Sequence, residues 1–228
     1  EKEMSAIFKR EFKTFFTSPI GYFVLAVLFG FSGFYFFASN MYAGSADLSG
    51  VFGGLFTIVL LLVLPVLTMR LLSDDKRQRT DQALLTAPVS LTGIALGKFL
   101  AALLLFAIGI SITLVFAVII AFQVTPDWLV IVGNYVGLLL LGGMVIAIGL
   151  FISSLTESQF IAALGTFVVS FAMIMVDSLG SVFSSVKWIT SVVNFISVSS
   201  RYSDFTSGVI NYDNVVFFLS LQALFVFL

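Results

Sequence analysis

The chain has 228 residues, of which 60% are hydrophobic and only 10% charged, with a net charge of −1 at pH 7. A soluble domain carries about 25% charged residues, so this chain lacks the polar surface that water demands and reads as an integral membrane protein. The absence of cysteine and histidine excludes a disulfide framework, thiolate chemistry, the commonest metal ligand and the usual general base, and the near-neutral charge argues against a nucleic-acid partner.

The opening Glu1 to Met4 is short and charged, without the pattern of a cleavable signal peptide, and Met4 is a candidate natural start. Ala6 to Thr17, AIFKREFKTFFT, then reads as a helix in which Phe8, Phe12, Phe15 and Phe16 share one face and Lys9, Arg10 and Lys13 lie beside them. An aromatic stripe flanked by cations is the pattern of a helix lying in the membrane interface. Residues 5–18 are read as such an interfacial segment. Two roles stay open: a basic anchor that sets topology, or an elbow that also touches a cytoplasmic partner. Pro19 favours a break before the next element.

Six apolar segments follow: Ile20–Asn40, Val51–Met69, Ile94–Phe122, Trp128–Ile152, Gln159–Val176, and one from Asn214 still running at Leu228. About 20 residues cross the hydrocarbon core, so the sixth is short and the chain is expected to continue a little further. Nine of the eleven Lys and Arg residues lie before the first segment or around the second-to-third connection; only Lys187 and Arg201 fall on the opposite side. The positive-inside rule then predicts a cytoplasmic N-terminus and an outward-facing connection over 178–213.

The stretch SDDKRQRTDQALLTAP, Ser73 to Pro88, holds six of the chain's 23 charged residues. Ser73 is a candidate N-cap, Asp74 and Asp75 suit a helix N-terminus, and Pro88 suits an end. Asp75 to Arg79 and Arg77 to Asp81 are opposite-charge pairs at helical spacing, and Leu84 and Leu85 add an apolar foot. On these residues alone the stretch is either a solvated loop or a docking helix. Further on, Thr156 and Gln159 fit a capping box opening the fifth segment, with Glu157 in its first turn. In the outer connection, Val182, Val186, Ile189, Val193 and Ile196 recur at helical spacing, and Trp188 suits the headgroup region. Arg201 is read either as meeting an anionic headgroup or substrate or as pairing with Asp204.

Other features carry less. GIALGKF (Gly93 to Phe99) lacks the spacing and the hydroxyl of a phosphate loop; Lys98 and Arg70 are instead expected to reach the headgroups. Small residues four apart at Gly50/Gly54, Gly93/Gly97 and Gly133/Gly137 permit close helix approach. No ionisable residue stands clearly mid-segment, which argues against a self-powered ion-coupled carrier and for energy supplied by another subunit.

Four motifs carry a resemblance when taken in order: FKREFKTFFTSPIGYFVLAV, then PVLTMRLLS with DDKRQRTDQALLTAPVSLTGIALGKF, GLFISSLTESQFIAA, and YSDFTSGVINYDNVVFF. Together they resemble the type-2 ABC exporter permeases, most closely the gliding-motility-type branch, along essentially the whole chain. The resemblance implies one all-α transmembrane permease domain over 1–228. It would comprise six transmembrane helices, an N-terminal interfacial elbow helix, a cytoplasmic coupling helix at 73–88 and outer re-entrant helices within 178–213. It implies docking to a separate ATPase subunit through Asp74, Asp75, Lys76, Arg77, Arg79, Thr80, Asp81, Gln82, Leu84 and Leu85, with Glu157 either a second contact or only a helix-start acid. Relatives carry Gly and Glu where this chain has Arg79 and Gln82. Val186, Trp188, Ile189, Val193 and Arg201 become candidates for an outer gate, the alternative being a passive interfacial helix. The implied function is that of a non-enzymatic exporter subunit in a bacterial inner membrane. It would have no cofactor of its own; ATP and Mg would sit on the partner. A second permease copy or paralogue and an accessory membrane subunit are the other implied partners, beside the bilayer. The alternative is a non-transporting membrane scaffold that recruits a cytoplasmic partner.

Overall fold

The computed structural model describes residues 2–77, 91–122, 124–182, 197–209 and 211–228, and among them there are helices and no strands. Helix α1 spans Lys2–Thr17 and stops at Ser18, whose extended backbone is the conformation favoured before a proline; α2 (Pro19–Phe36) then starts with Pro19 in its first turn. The same rod continues through a π-helical turn, Phe37–Tyr42. There the buried Asn40 donates to the carbonyls of Ser45 (2.7 Å) and Asp47 (2.9 Å), tying the following loop to the helix end.

The second long helix is built in pieces. Helix α3 (Ser49–Ile58) passes into a π segment, Val59–Val63, before α4 (Leu64–Thr68) and a short α5 (Ser73–Arg77). Pro65 supplies the cause: it has no N–H and its ring crowds the carbonyl four residues back, so the ladder is re-spaced just before it. Helices α6 (Leu91–Ile110) and α7 (Ile112–Ala121) form the third rod, interrupted at Ser111. Ser111 and Thr113 both send their hydroxyls back to helix carbonyls, at 2.6 and 2.7 Å, and such back-bonding next to Gly109 bends a helix. Asp127 caps α8 (Trp128–Leu155), accepting from the N–H groups of Leu129 and Val130. Then come α9 (Gln159–Val182), α10 (Val198–Thr206) and α11 (Tyr212–Phe227).

Among the described residues, five helices are long and apolar enough to cross a membrane: Pro19–Tyr42, Ser49–Arg77, Leu91–Ala121, Trp128–Leu155 and Gln159–Val176. They match the first five expected segments. The sixth, α11, has 16 residues, about 24 Å at 1.5 Å per residue, shorter than a hydrocarbon core of about 30 Å.

Helix α8 is the axis of the bundle. Of its span, 72% is buried, against 28% for the first long helix and 17% for the fifth. It packs on α4, α6, α9, α10 and α11. Lipid tails give apolar helices no hydrophobic reason to associate, so close backbone approach must hold them. In α8, Gly142 receives the ring of Phe106 and Gly149 the side chain of Thr68, where a Cβ would meet atoms at 2.2 and 2.4 Å. Two of the three glycine pairs seen in the sequence do the same work: Gly50 and Gly54 receive Ser39 and Tyr35 of the first rod, and Gly133 and Gly137 receive Phe205 of α10.

Candidate functional site

One end of the bundle gathers most of the charge. The chain leaves α4 through Met69–Leu72 and enters α5, the beginning of the charged stretch, with Asp74 and Asp75 in its first turn and Lys76 and Arg77 in its last. A helix of five residues cannot hold itself together in water, and its neighbours position it. On one side stands the junction of α8 and α9. The buried Ser153 hydroxyl accepts from the backbone N–H groups of both Leu72 (3.0 Å) and Ser73 (2.9 Å), satisfying two donors at the entry to α5. Lys76 Nζ donates to the carbonyl of Ser154, and Gln159 Nε2 donates to Asp74 Oδ1 at 2.8 Å. Arg70 holds the other oxygen of Asp74, with Nη2 at 2.8 Å and Nε at 3.2 Å.

On the opposite side, Asp75 Oδ2 lies 2.7 Å from Lys98 Nζ, and the same ammonium lies 3.1 Å from Glu11 Oε1 of α1. Lys98 is only 2% exposed. A buried ammonium requires paired charge, and here two carboxylates from distant parts of the chain supply it. Between them lies a polar cavity of about 190 Å³, bordered by α1, the α4–α5 turn and Lys98.

Helix α1 lies along α6, where a Cβ on Gly97 would meet Ile7 Cγ2 at 2.9 Å. Its aromatic stripe is half-buried, with Phe8, Phe12, Phe16 and Tyr22 in successive ring contacts at 6.0, 5.1 and 6.1 Å; Phe15 is buried. Lys9, Arg10 and Lys13 are exposed beside it, the arrangement the sequence predicted. Arg77 and Glu157 are both exposed and share an open cleft of about 520 Å³ with Ser158, Gln159 and Phe160.

Several expectations change. Lys98 and Arg70 turn onto carboxylates rather than out to headgroups, Lys98 onto Glu11 and Asp75 and Arg70 onto Asp74, because these acids lie within reach and paired burial satisfies both partners. Ser73 is not an N-cap: it is the first residue of α5, and its hydroxyl donates back to the Met69 carbonyl. Thr156 and Gln159 do not form a capping box. Ser158 is the residue whose hydroxyl accepts from Ile161 N–H at 3.5 Å, Thr156 Oγ1 accepts from Ser158 N–H, and Gln159 is drawn to Asp74 instead. Arg79, Thr80, Asp81, Gln82, Leu84 and Leu85 lie outside the described residues, as do Val186, Trp188, Ile189 and Val193. The pairs Asp75–Arg79 and Arg77–Asp81 each have one member outside the described residues, and Asp75 is engaged by Lys98.

At the far end, Arg201 and Asp204 are joined through Asn214, whose Oδ1 accepts from Arg201 Nη1 (3.0 Å) and whose Nδ2 donates to Asp204 Oδ2 (2.8 Å). The Arg201 guanidinium also stands 4.2 Å over the Phe217 ring. Helix α10 itself is wedged into the bundle, with Tyr202 stacked on Phe56 and Phe205 set against Phe218 and the α8 glycines. Sequence reasoning missed this wedge, although Val198, Tyr202 and Phe205 recur at four and three residues, an amphipathic signal in a nine-residue window. It also missed Ser153 and Glu11. Glu11 carried a signal, as the one acid in a basic helix from Lys9 to Lys13; Ser153 carried none.

The family model described as ABC-2 family transporter protein matches residues 9–176. The chain belongs to the ABC-2 transporter family. The match runs from the middle of α1 through the five long helices and includes Glu11, Asp75, Lys98, Ser153 and Gln159. This ABC-2 transporter chain is thus a multi-pass membrane protein and a permease subunit of an ABC transporter. Such subunits carry substrate and are not themselves catalytic, and they typically work with an ABC ATPase subunit. No curated protein and no solved structure matches the chain.

Proposed function

We propose that this ABC-2 permease is the membrane half of an exporter and receives its energy through residues 73–88. One observation supports the reading above the others: α5 is anchored on both flanks, by Ser153, Ser154 and Gln159 on one and by Lys98 on the other. A connection that served only as a solvated linker would need neither anchor. In this reading α5 begins the coupling helix, and Arg77, Arg79, Leu84 and Leu85 seat in a separate ATPase. Glu157, Arg77 and Phe160 form the adjoining contact, and ATP and Mg reside on the partner.

The chain then crosses a bacterial inner membrane six times with its N-terminus cytoplasmic, α11 being the sixth crossing and α1 the elbow. It pairs with a second copy or a paralogue, and an accessory membrane subunit joins that assembly. Closure of the ATPase pair pushes the coupling helix, rocks the two permease halves and opens a path at their interface outward. The outer segment 178–213, including the wedge formed by α10, lies over the exit.

Co-expression with the cognate ATPase, followed by purification in detergent, tests this. The wild-type pair is expected to co-purify, and Arg77→Ala, Arg79→Ala and Leu84→Ala combined are expected to lose the ATPase. Retention of the complex with full ATPase activity by that triple variant would remove the assignment.

A further inference from the structure

We propose that Lys98 is a positioning residue for energy coupling, a buried ionic joint that makes the elbow α1 move together with the start of the coupling helix. The inference rests on the reading of residues 73–88 as the ATPase contact and goes beyond it, because it assigns a path by which force arriving there reaches a second element.

Three observations carry it. Lys98 Nζ touches Asp75 Oδ2 at 2.7 Å and Glu11 Oε1 at 3.1 Å, so one ammonium joins α5, α6 and α1, which are separated in sequence by tens of residues. Glu11 and Asp75 are themselves mostly buried, at 14% and 20% exposure; the joint is therefore shielded from solvent ions that screen exposed pairs. Finally, α1 already rides on α6 at Gly97, the residue before Lys98, where Ile7 and the backbone of Phe8 approach the position a Cβ would take. Apolar contact at Gly97 sets α1 beside α6, and the two arms of Lys98 tie the polar face of α1, through Glu11, to Asp75 on α5.

A two-armed cation also has a consequence that simple packing lacks. If Lys98 is made neutral, both ionic arms are lost together: Glu11 keeps Arg10, 2.7 Å away, but no longer shares a cation with Asp75. If Glu11 alone is made apolar, Lys98 keeps Asp75 while the elbow loses its ionic link and retains the apolar contact at Gly97. The two changes therefore separate the stability of the site from the connection between elements.

The test uses the permease–ATPase complex in lipid nanodiscs. The chain has no cysteine, so Ala6→Cys, an exposed position on α1, accepts a single environment-sensitive fluorophore. Wild type is expected to show a change in emission on trapping with MgATP and vanadate. Lys98→Met and Glu11→Leu are expected to lose that change while still co-purifying with the ATPase, and Lys98→Arg to retain it. Should Lys98→Met fold poorly, Glu11→Leu still decides. An elbow signal that survives in Glu11→Leu, that is absent from wild type, or that is lost equally in Lys98→Arg overturns the joint. Failure of the wild-type complex to form would instead overturn the ATPase-contact reading itself.

Discussion

Ser153 shows how much one hydroxyl can organise. Its oxygen accepts two backbone N–H groups where the second long helix gives way to α5, and it is fully buried. Leaving a buried donor unsatisfied costs about 1–3 kcal/mol, so Ser153→Ala is expected to lower the thermal midpoint in detergent measurably. Ser153→Thr, which restores the acceptor, should recover part of it. The loss should be local, with amide hydrogen exchange rising at Leu72 and Ser73 before it rises in α8. The same residue marks where sequence reading stops. Nothing in FISSLTES distinguishes Ser153 from Ser154 or Ser158, because the partner is backbone brought from eighty residues away. Lys98 was visible as a lone cation in an apolar segment. Its direction was not, since headgroups and buried acids are equally good destinations until the third dimension places Glu11 and Asp75.

At the scale of elements, the apolar segments were legible because membrane crossing is a matter of length and composition, and the expected start of each agrees with the structure within a few residues. The aromatic face of α1 was legible for a similar reason: Phe8, Phe12 and Phe16 follow helical spacing over about two turns. The wedge α10 was not, because nine residues between Ser197 and Ser207 contain too few repeats to separate a buried helix from a loop. Its end is plain in retrospect: Gly208 takes φ +76°, and Val209 N–H returns to the Asp204 carbonyl, a common way for a helix to stop. The docking of α1 on α6 makes a sharp prediction. A side chain at Gly97 would overlap Ile7, so Gly97→Val is expected to cost about 1–3 kcal/mol by overpacking and to lift α1 from the bundle. Limited proteolysis at the Lys and Arg residues of α1 should then proceed faster than in wild type; unchanged cleavage would mean α1 is held elsewhere.

For the whole molecule, the two ends differ in kind. One collects Glu11, Arg70, Asp74, Asp75, Lys98 and Glu157; the other carries exposed aromatic residues such as Tyr42, Phe122 and Trp128. The absence of native cysteine makes the topology directly measurable. Single cysteines at Lys9 and Glu157 are expected to react with a membrane-impermeant maleimide only from the cytoplasmic side, and at Tyr42 and Asp127 only from the outside. Labelling of Lys9 and Tyr42 variants from the same side would break the inferred arrangement. Positional sidedness alone, however, leaves open whether the charged end meets an ATPase. The most direct test is a photo-crosslinker attached at Arg77→Cys in the co-expressed complex, with Asp127→Cys as the control. The account predicts an adduct with the ATPase subunit from Arg77 and none from Asp127. An Arg77 variant that yields no ATPase adduct, in a complex that still assembles, would contradict it.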